Sequence, residues 1–138
     1  MAELLQHVTN VPTPITNGAA INVPQTPAGQ GIALVRVSIP ANRPVNTVEL
    51  TATVGLQGLT GIPRVLFRIF RDGQEIYYAT QAVESAFETV NLTALTAVDT
   101  NVVPGVHDYI LSVEQIAAAT NTARVIGPIV FSALATAP

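Results

Sequence analysis

The chain of 138 residues contains no cysteine, no tryptophan and no lysine. Without cysteine there is no disulfide framework and no thiolate metal site. Two histidines, His7 and His107, are the whole imidazole complement, and neither has a second ligand beside it at metal spacing. His107, next to Asp108, reads as a strand-end hydrogen-bonding residue rather than a catalytic base. Charged residues make up 11%, against about a quarter in an average globular protein. A net charge of −3, with no basic stripe interleaved with aromatics, excludes a nucleic-acid footprint. No apolar run is long enough for a membrane-spanning helix, so membrane insertion is not expected. Residues 1–10 lack the basic and apolar regions of a secretory signal, which predicts a protein made in a cytoplasm and kept there or released by lysis.

The missing lysines bear most directly on function. An isolated β-protein protects its sheet edges with charges, lysine above all, to keep other chains from pairing there. The six basic residues are Arg36, Arg43, Arg64, Arg68, Arg71 and Arg124. A surface this poor in charge, in a chain 49% hydrophobic, predicts burial against other copies of itself. Chemistry is absent as well. No G-x-S-x-G, P-loop, dinucleotide fingerprint or Ca²⁺ loop occurs, and no carboxylates pair locally as a glycosidase requires. Asn91-Leu92-Thr93 matches a glycosylation sequon, which carries no weight without a secretion signal. No enzyme, cofactor or metal is expected.

What the chain does contain is strand pattern. Arg64 to Thr80 reads R-V-L-F-R-I-F-R-D-G-Q-E-I-Y-Y-A-T, two β-rich runs about Asp72-Gly73, the dipeptide that suits a type I′ turn. Both faces of its first run carry apolar residues, which predicts a strand covered on both sides, with Arg68 and Arg71 at its rims. Asp72 and Glu75 are expected to answer Arg71 or a neighbour's arginine. Tyr77 and Tyr78 must point to opposite faces, one into the core and one outward. Thr47 to Leu56 alternates Val48, Leu50, Ala52, Val54 and Leu56 against Thr47, Glu49, Thr51 and Thr53, a half-buried strand. A glycine-punctuated loop over Gly55, Gly58 and Gly61 is expected after it. Further strands are predicted at Ile32–Ile39, Phe87–Val98, His107–Gln115 and Arg124–Leu134, with Gly127-Pro128 kinking the last and residues 135–138 as a tail. Runs spaced by roughly ten residues, with no sustained helical period, predict an all-β fold: an eight-stranded antiparallel β-sandwich of jelly-roll type.

Residues 1–30 read as a region apart from the sandwich of residues 31–138. Pro12 and Pro14 break regular structure and stiffen a spacer, while Leu4, Leu5, Val8 and Val11 are the residues expected to dock an extended arm on a neighbouring subunit. A short strand is expected at Ala20–Val23.

At V-L-F-R-I-F-R-D-G-Q-E-I-Y-Y, A-V-E-S, V-P-G-V-H-D-Y-I-L-S-V-E and V-I-G-P-I-V-F-S-A-L-A, the chain resembles exosporium protein C, a spore-surface family of Bacillus-type bacteria. The resemblance runs from about Thr51 to Ala135. More loosely, it is similar to the TNF-like jelly-roll domains of exosporium glycoproteins and to the subunits of endospore appendage fibres. What the resemblance implies is a structural subunit of the exosporium, made in the mother cell, with copies of itself and other spore-surface proteins as partners. In the appendage fibres an N-terminal connector docks on the next subunit, in some types bearing cysteines that this chain lacks. The alternatives from other classes are a trimeric adhesive or sugar-binding head and a viral capsid or fibre jelly roll.

Overall fold

The computed structural model describes residues 2–138. Among them there are nine strands and no helix. The strands are β1 (Glu3–Thr13), β2 (Ile21–Asn22), β3 (Gln30–Ile39), β4 (Thr47–Thr60), β5 (Arg64–Arg71), β6 (Gln74–Ala82), β7 (Val90–Thr100), β8 (Gly105–Gln115) and β9 (Thr122–Ala137).

Eight long strands form two four-strand layers. The first sheet runs β1-β9-β4-β7, with the two-residue β2 added against β9, and the second runs β3-β8-β5-β6. Every pairing between named strands is antiparallel. Among the eight, the first pairs with the last (β1 with β9), the second with the seventh (β3 with β8), and the third with the sixth (β4 with β7). The fourth pairs with the fifth (β5 with β6). That is one long hairpin rolled up on itself, the connectivity of a jelly roll, so the expected fold class is observed.

Period-2 patterning builds the core. Val48, Leu50, Ala52, Val54 and Leu56 of β4 are buried, and they meet Val65, Phe67 and Ile69 of β5, Tyr109, Leu111 and Val113 of β8, and Ile129, Phe131, Ala133 and Ala135 of β9. Asp72 and Gly73 both take positive φ, 51° and 85°, as a type I′ turn requires.

The structure corrects four expectations. Residues 3–13 are no free arm. They form β1, hydrogen-bonded to β9 of the same chain from Glu3↔Ala137 to Thr13↔Ile129, because the pleat brings Leu5 and Val8 against the core. Met1 lies outside the described residues. Pro12 does not end regular structure, since it falls in the register shift between Asn10 and Thr13, where an edge strand needs no donor. Gly55 and Gly58 lie inside β4, which runs on to Thr60, and only Gly61 is loop. β9 likewise continues to Ala137, so residues 135–137 are strand rather than tail.

Candidate assembly surface

A two-layer sandwich exposes four edge strands: β1 and β7 in the first sheet, β3 and β6 in the second. Each edge offers unpaired N–H and C=O groups that must meet water, a side chain or another chain. On one side of the molecule β1 leans on β3. Asn10 Nδ2 donates to the Leu34 carbonyl at 2.9 Å, and the Ser38 N–H donates to Gln6 Oε1 at 2.6 Å. Gln30 Nε2 donates to the Gly31 carbonyl at 3.0 Å, and Arg43 holds Glu3 at 2.7 Å near the strand end. On the other side, Gln81 Nε2 covers the Ala82 carbonyl of β6 at 3.0 Å.

β7 has no such cover. Among the described residues no side chain hydrogen-bonds to the backbone of Val90–Thr100. Val90, Leu92 and Val98 are 52%, 63% and 61% exposed, and Ala94, Thr96 and Thr100 lie exposed between them. The neighbouring outer face of the sheet carries little charge, with Arg124 beside Gln57 at one end and Glu49 toward the other. Thr96, Thr51, Ser132 and Thr9 form one row across four strands, and Thr100, Thr47 and Thr136 another. The Thr51 and Ser132 hydroxyls lie 2.6 Å apart. In the row between them, Val98, Glu49, Leu134 and His7, Glu49 alone carries a fixed charge.

The charge β7 does possess is drawn inward. Asp99 Oδ2 accepts from Arg71 Nη1 at 2.5 Å and from the Tyr109 hydroxyl at 2.9 Å, joining the two sheets at one end. Burial, then the hydrogen bond to Asp99, raises the Tyr109 phenol well above its ordinary value, and the same carboxylate raises Arg71. Beside this cluster, Asp72 Oδ2 meets His107 Nδ1 at 2.6 Å while Asp72 Oδ1 accepts the Asp108 N–H at 2.9 Å. Those two bonds hold the Asp72 carboxyl below its usual range. His107 Nε2 faces the Val103 carbonyl, so this histidine is the strand-end hydrogen bonder the sequence predicts.

The hairpin residues thus come together, but not with the expected partners. Arg71 is answered by Asp99 rather than by Asp72 or Glu75, and Asp72 by His107. Arg68 lies between Glu75, 3.3 Å from Nη1, and Glu114, 2.7 Å from Nε. Glu114 is 3% exposed, and its Oε2 has no hydrogen-bond partner among the described residues. Gly73 has open space around it. Of the arm residues, Leu5 and Val8 pack on the core of their own chain, and Leu4 and Val11 stay exposed beside Pro12 and Pro14. Tyr77 packs on the core and Tyr78 is 69% exposed, the split that adjacent strand positions require. Phe87, expected to begin a strand, stands exposed in the loop before β7. Sequence reasoning missed β7 as the bare edge, although its one signal, an eleven-residue run with a single charge, was present.

No protein-family model matches the chain, and no curated protein does. Among solved structures, it is similar to dimeric latent PorU from Porphyromonas gingivalis at 10% identity and a TM-score of 0.46, over 92% of this chain and 13% of that one. The chain therefore spans about an eighth of PorU. It is also similar to the Eiger TNF from S. frugiperda at 11% identity and a TM-score of 0.36, over 83% of this chain and 89% of that one. With both scores below 0.5, the strand order rather than the likeness carries the fold assignment.

Proposed function

We propose that the protein is a non-enzymatic structural subunit that associates with copies of itself in a bacterial spore-surface layer or fibre. The observation that carries self-association is the bare β7 edge, continuous with an outer face of threonine, valine and leucine. Leaving so long an unpaired strand in water is a hazard that isolated proteins avoid. The spore surface as the setting rests on the resemblance of residues 51–135 to exosporium protein C. The N-terminal segment closes its own sandwich through β1 and leaves self-association to the β7 edge.

The test is light scattering and negative-stain microscopy of the whole chain over a wide concentration range, with immunogold labelling of spores. Concentration-dependent growth of mass and gold on the outermost spore layer are expected. A chain that stays monomeric throughout, or label confined to vegetative cells, would refute the proposal.

One observation favours a second reading, a sugar-binding head. The Tyr78 ring borders a depression of about 300 Å³ lined also by Leu66, Arg68, Glu75, Thr80 and Ile116, an aromatic and aliphatic platform beside the Arg68–Glu75 ion pair. Saturable glycan-array binding that Tyr78→Ala abolishes would favour it.

A further inference from the structure

The edge of β7 carries more than the absence of a guard. Its inner side is bonded to β4 through odd-numbered residues. Thr89 accepts from the Gly58 N–H at 2.9 Å, Asn101 donates to the Asn46 carbonyl at 2.8 Å, and the register between them is unbroken. An antiparallel strand alternates residues that exchange both bonds with a neighbour and residues whose groups point away from it. The N–H and C=O groups of Val90, Leu92, Ala94, Thr96, Val98 and Thr100 therefore all point to the open side. These same six residues hold their side chains on the exposed outer face.

We infer that β7 pairs antiparallel with β7 of a second copy, about a two-fold axis through Leu95, so that two first sheets fuse into one eight-stranded sheet. The inference rests on the self-association proposed above and names its contact. Centring on Leu95 pairs all eleven residues of each strand. It sets Leu92 against Val98 of the second copy, Val90 against Thr100 and Ala94 against Thr96, each pair exchanging both backbone hydrogen bonds. On the inner side Asn91 meets Asp99, an amide beside a carboxylate, and Leu95 meets its own counterpart. No like charges face each other. A parallel pairing in register would instead set the two Asp99 carboxylates side by side, which is unfavourable.

Other edges make poorer partners. Amide side chains already occupy backbone groups of β3 and the Ala82 carbonyl of β6, β6 carries a register shift beside its turn, and β1 carries two. A second β7 supplies a ladder of the same length and spacing, with no bulge in its register to β4. Because a two-fold contact closes on itself, it yields a dimer. A layer or fibre then requires a further contact between dimers.

The test uses the absence of cysteine, since a single introduced thiol can link only to its counterpart in another copy. On mild oxidation Leu95→Cys is expected to give a covalent dimer in most of the chains. Asn91→Cys, whose counterpart would lie eight residues farther along, about 27 Å at ~3.4 Å per residue, is expected to give none. Should Leu95→Cys fold poorly, the double variant Ala94→Cys, Thr96→Cys makes the same link from the exposed face. Thr96→Pro removes an N–H on the open side while sparing the bonds to β4. With folding confirmed by circular dichroism, it is expected to weaken dimerisation at least tenfold in sedimentation. If the native chain associates but Thr96→Pro associates equally well, or thiols at positions 91 and 95 link equally, the two-fold pairing is wrong and self-association stands. A native chain that is monomeric throughout overturns both.

Discussion

Asp99 is the charged residue of β7 and the pin that ties this strand to the opposite sheet. One carboxylate oxygen accepts from Arg71 of β5 and Tyr109 of β8, which are themselves register partners. The Asp99 side chain is 12% exposed and that of Arg71 26%, whereas Tyr109 is fully buried. Arg71 keeps about a quarter of its side chain in water, and Arg71→Ala leaves Asp99 still bonded to the Tyr109 hydroxyl, so that change is expected to cost about 1–2 kcal/mol. The phenol is different. Removing its acceptor strands a buried hydroxyl, so Asp99→Ala is expected to cost about 3 kcal/mol, while Tyr109→Phe, which removes the donor with it, costs about 1 kcal/mol. Asp99→Asn keeps an acceptor oxygen and falls between them. In urea unfolding, the Asp99→Ala and Tyr109→Phe cycle should show coupling of about 1 kcal/mol. The pH dependence supplies a second readout. In the folded state the phenol is raised above the ordinary value of 10.0, so the unfolded chain loses this proton first. Its contribution is intact below about pH 10 and is lost as the pH rises beyond that. Tyr109→Phe should flatten that alkaline loss. The reasoning fails if Arg71→Ala costs as much as Asp99→Ala, or if the cycle proves additive.

Two further outcomes follow from packing. A Cβ added at Gly55 would fall on the Gly127 carbonyl and lie 3.1 Å from Pro128 N, backbone atoms that cannot swing aside, so Gly55→Ala should cost about 3 kcal/mol. Gly73→Ala, with open space but a φ of 85°, should cost only about 1 kcal/mol, and equal thermal shifts for the two would refute the packing argument. Deleting residues 1–11 should lower unfolding stability by about 3 kcal/mol or more, since it removes the β1 ladder and uncovers the core beneath Leu5 and Val8. A truncated chain as stable in urea as the whole one would show that β1 does not close the sandwich.

The fold was legible where one face is core and the other water. The alternation of Val48 to Leu56 and the Asp72-Gly73 turn left little choice of strand or hairpin, and both stand as expected. Legibility failed where the cue was a residue type rather than a period. Pro12 reads as a break, yet an edge strand with a register shift has no need of its donor. Gly55 and Gly58 read as a loop, yet in β4 they make room for the carbonyls of Gly127 and Glu84, a requirement that only the assembled sandwich creates. Arg71 finds Asp99 across 28 residues of chain, beyond any local pairing rule.

The N-terminal segment shows why composition alone mislocated the open border. Few charges and no lysine read as unguarded edges, but edges can also be guarded without ions. Gln6, Asn10 and Gln81 donate or accept with side-chain amides at the backbone groups that lysine would merely keep strangers from approaching. An amide satisfies a peptide group directly, at no cost in buried charge. Placing such residues on β1 closes the β1–β3 side and turns the supposed arm into a cover strand. The same device is missing along β7, where the side chains on the open face are valine, leucine, alanine and threonine. None of these four carries an amide, and threonine's short hydroxyl makes no bond to that backbone. The inference from low charge to self-association therefore falls on β7, an edge that among the described residues has no side chain bonded to its backbone.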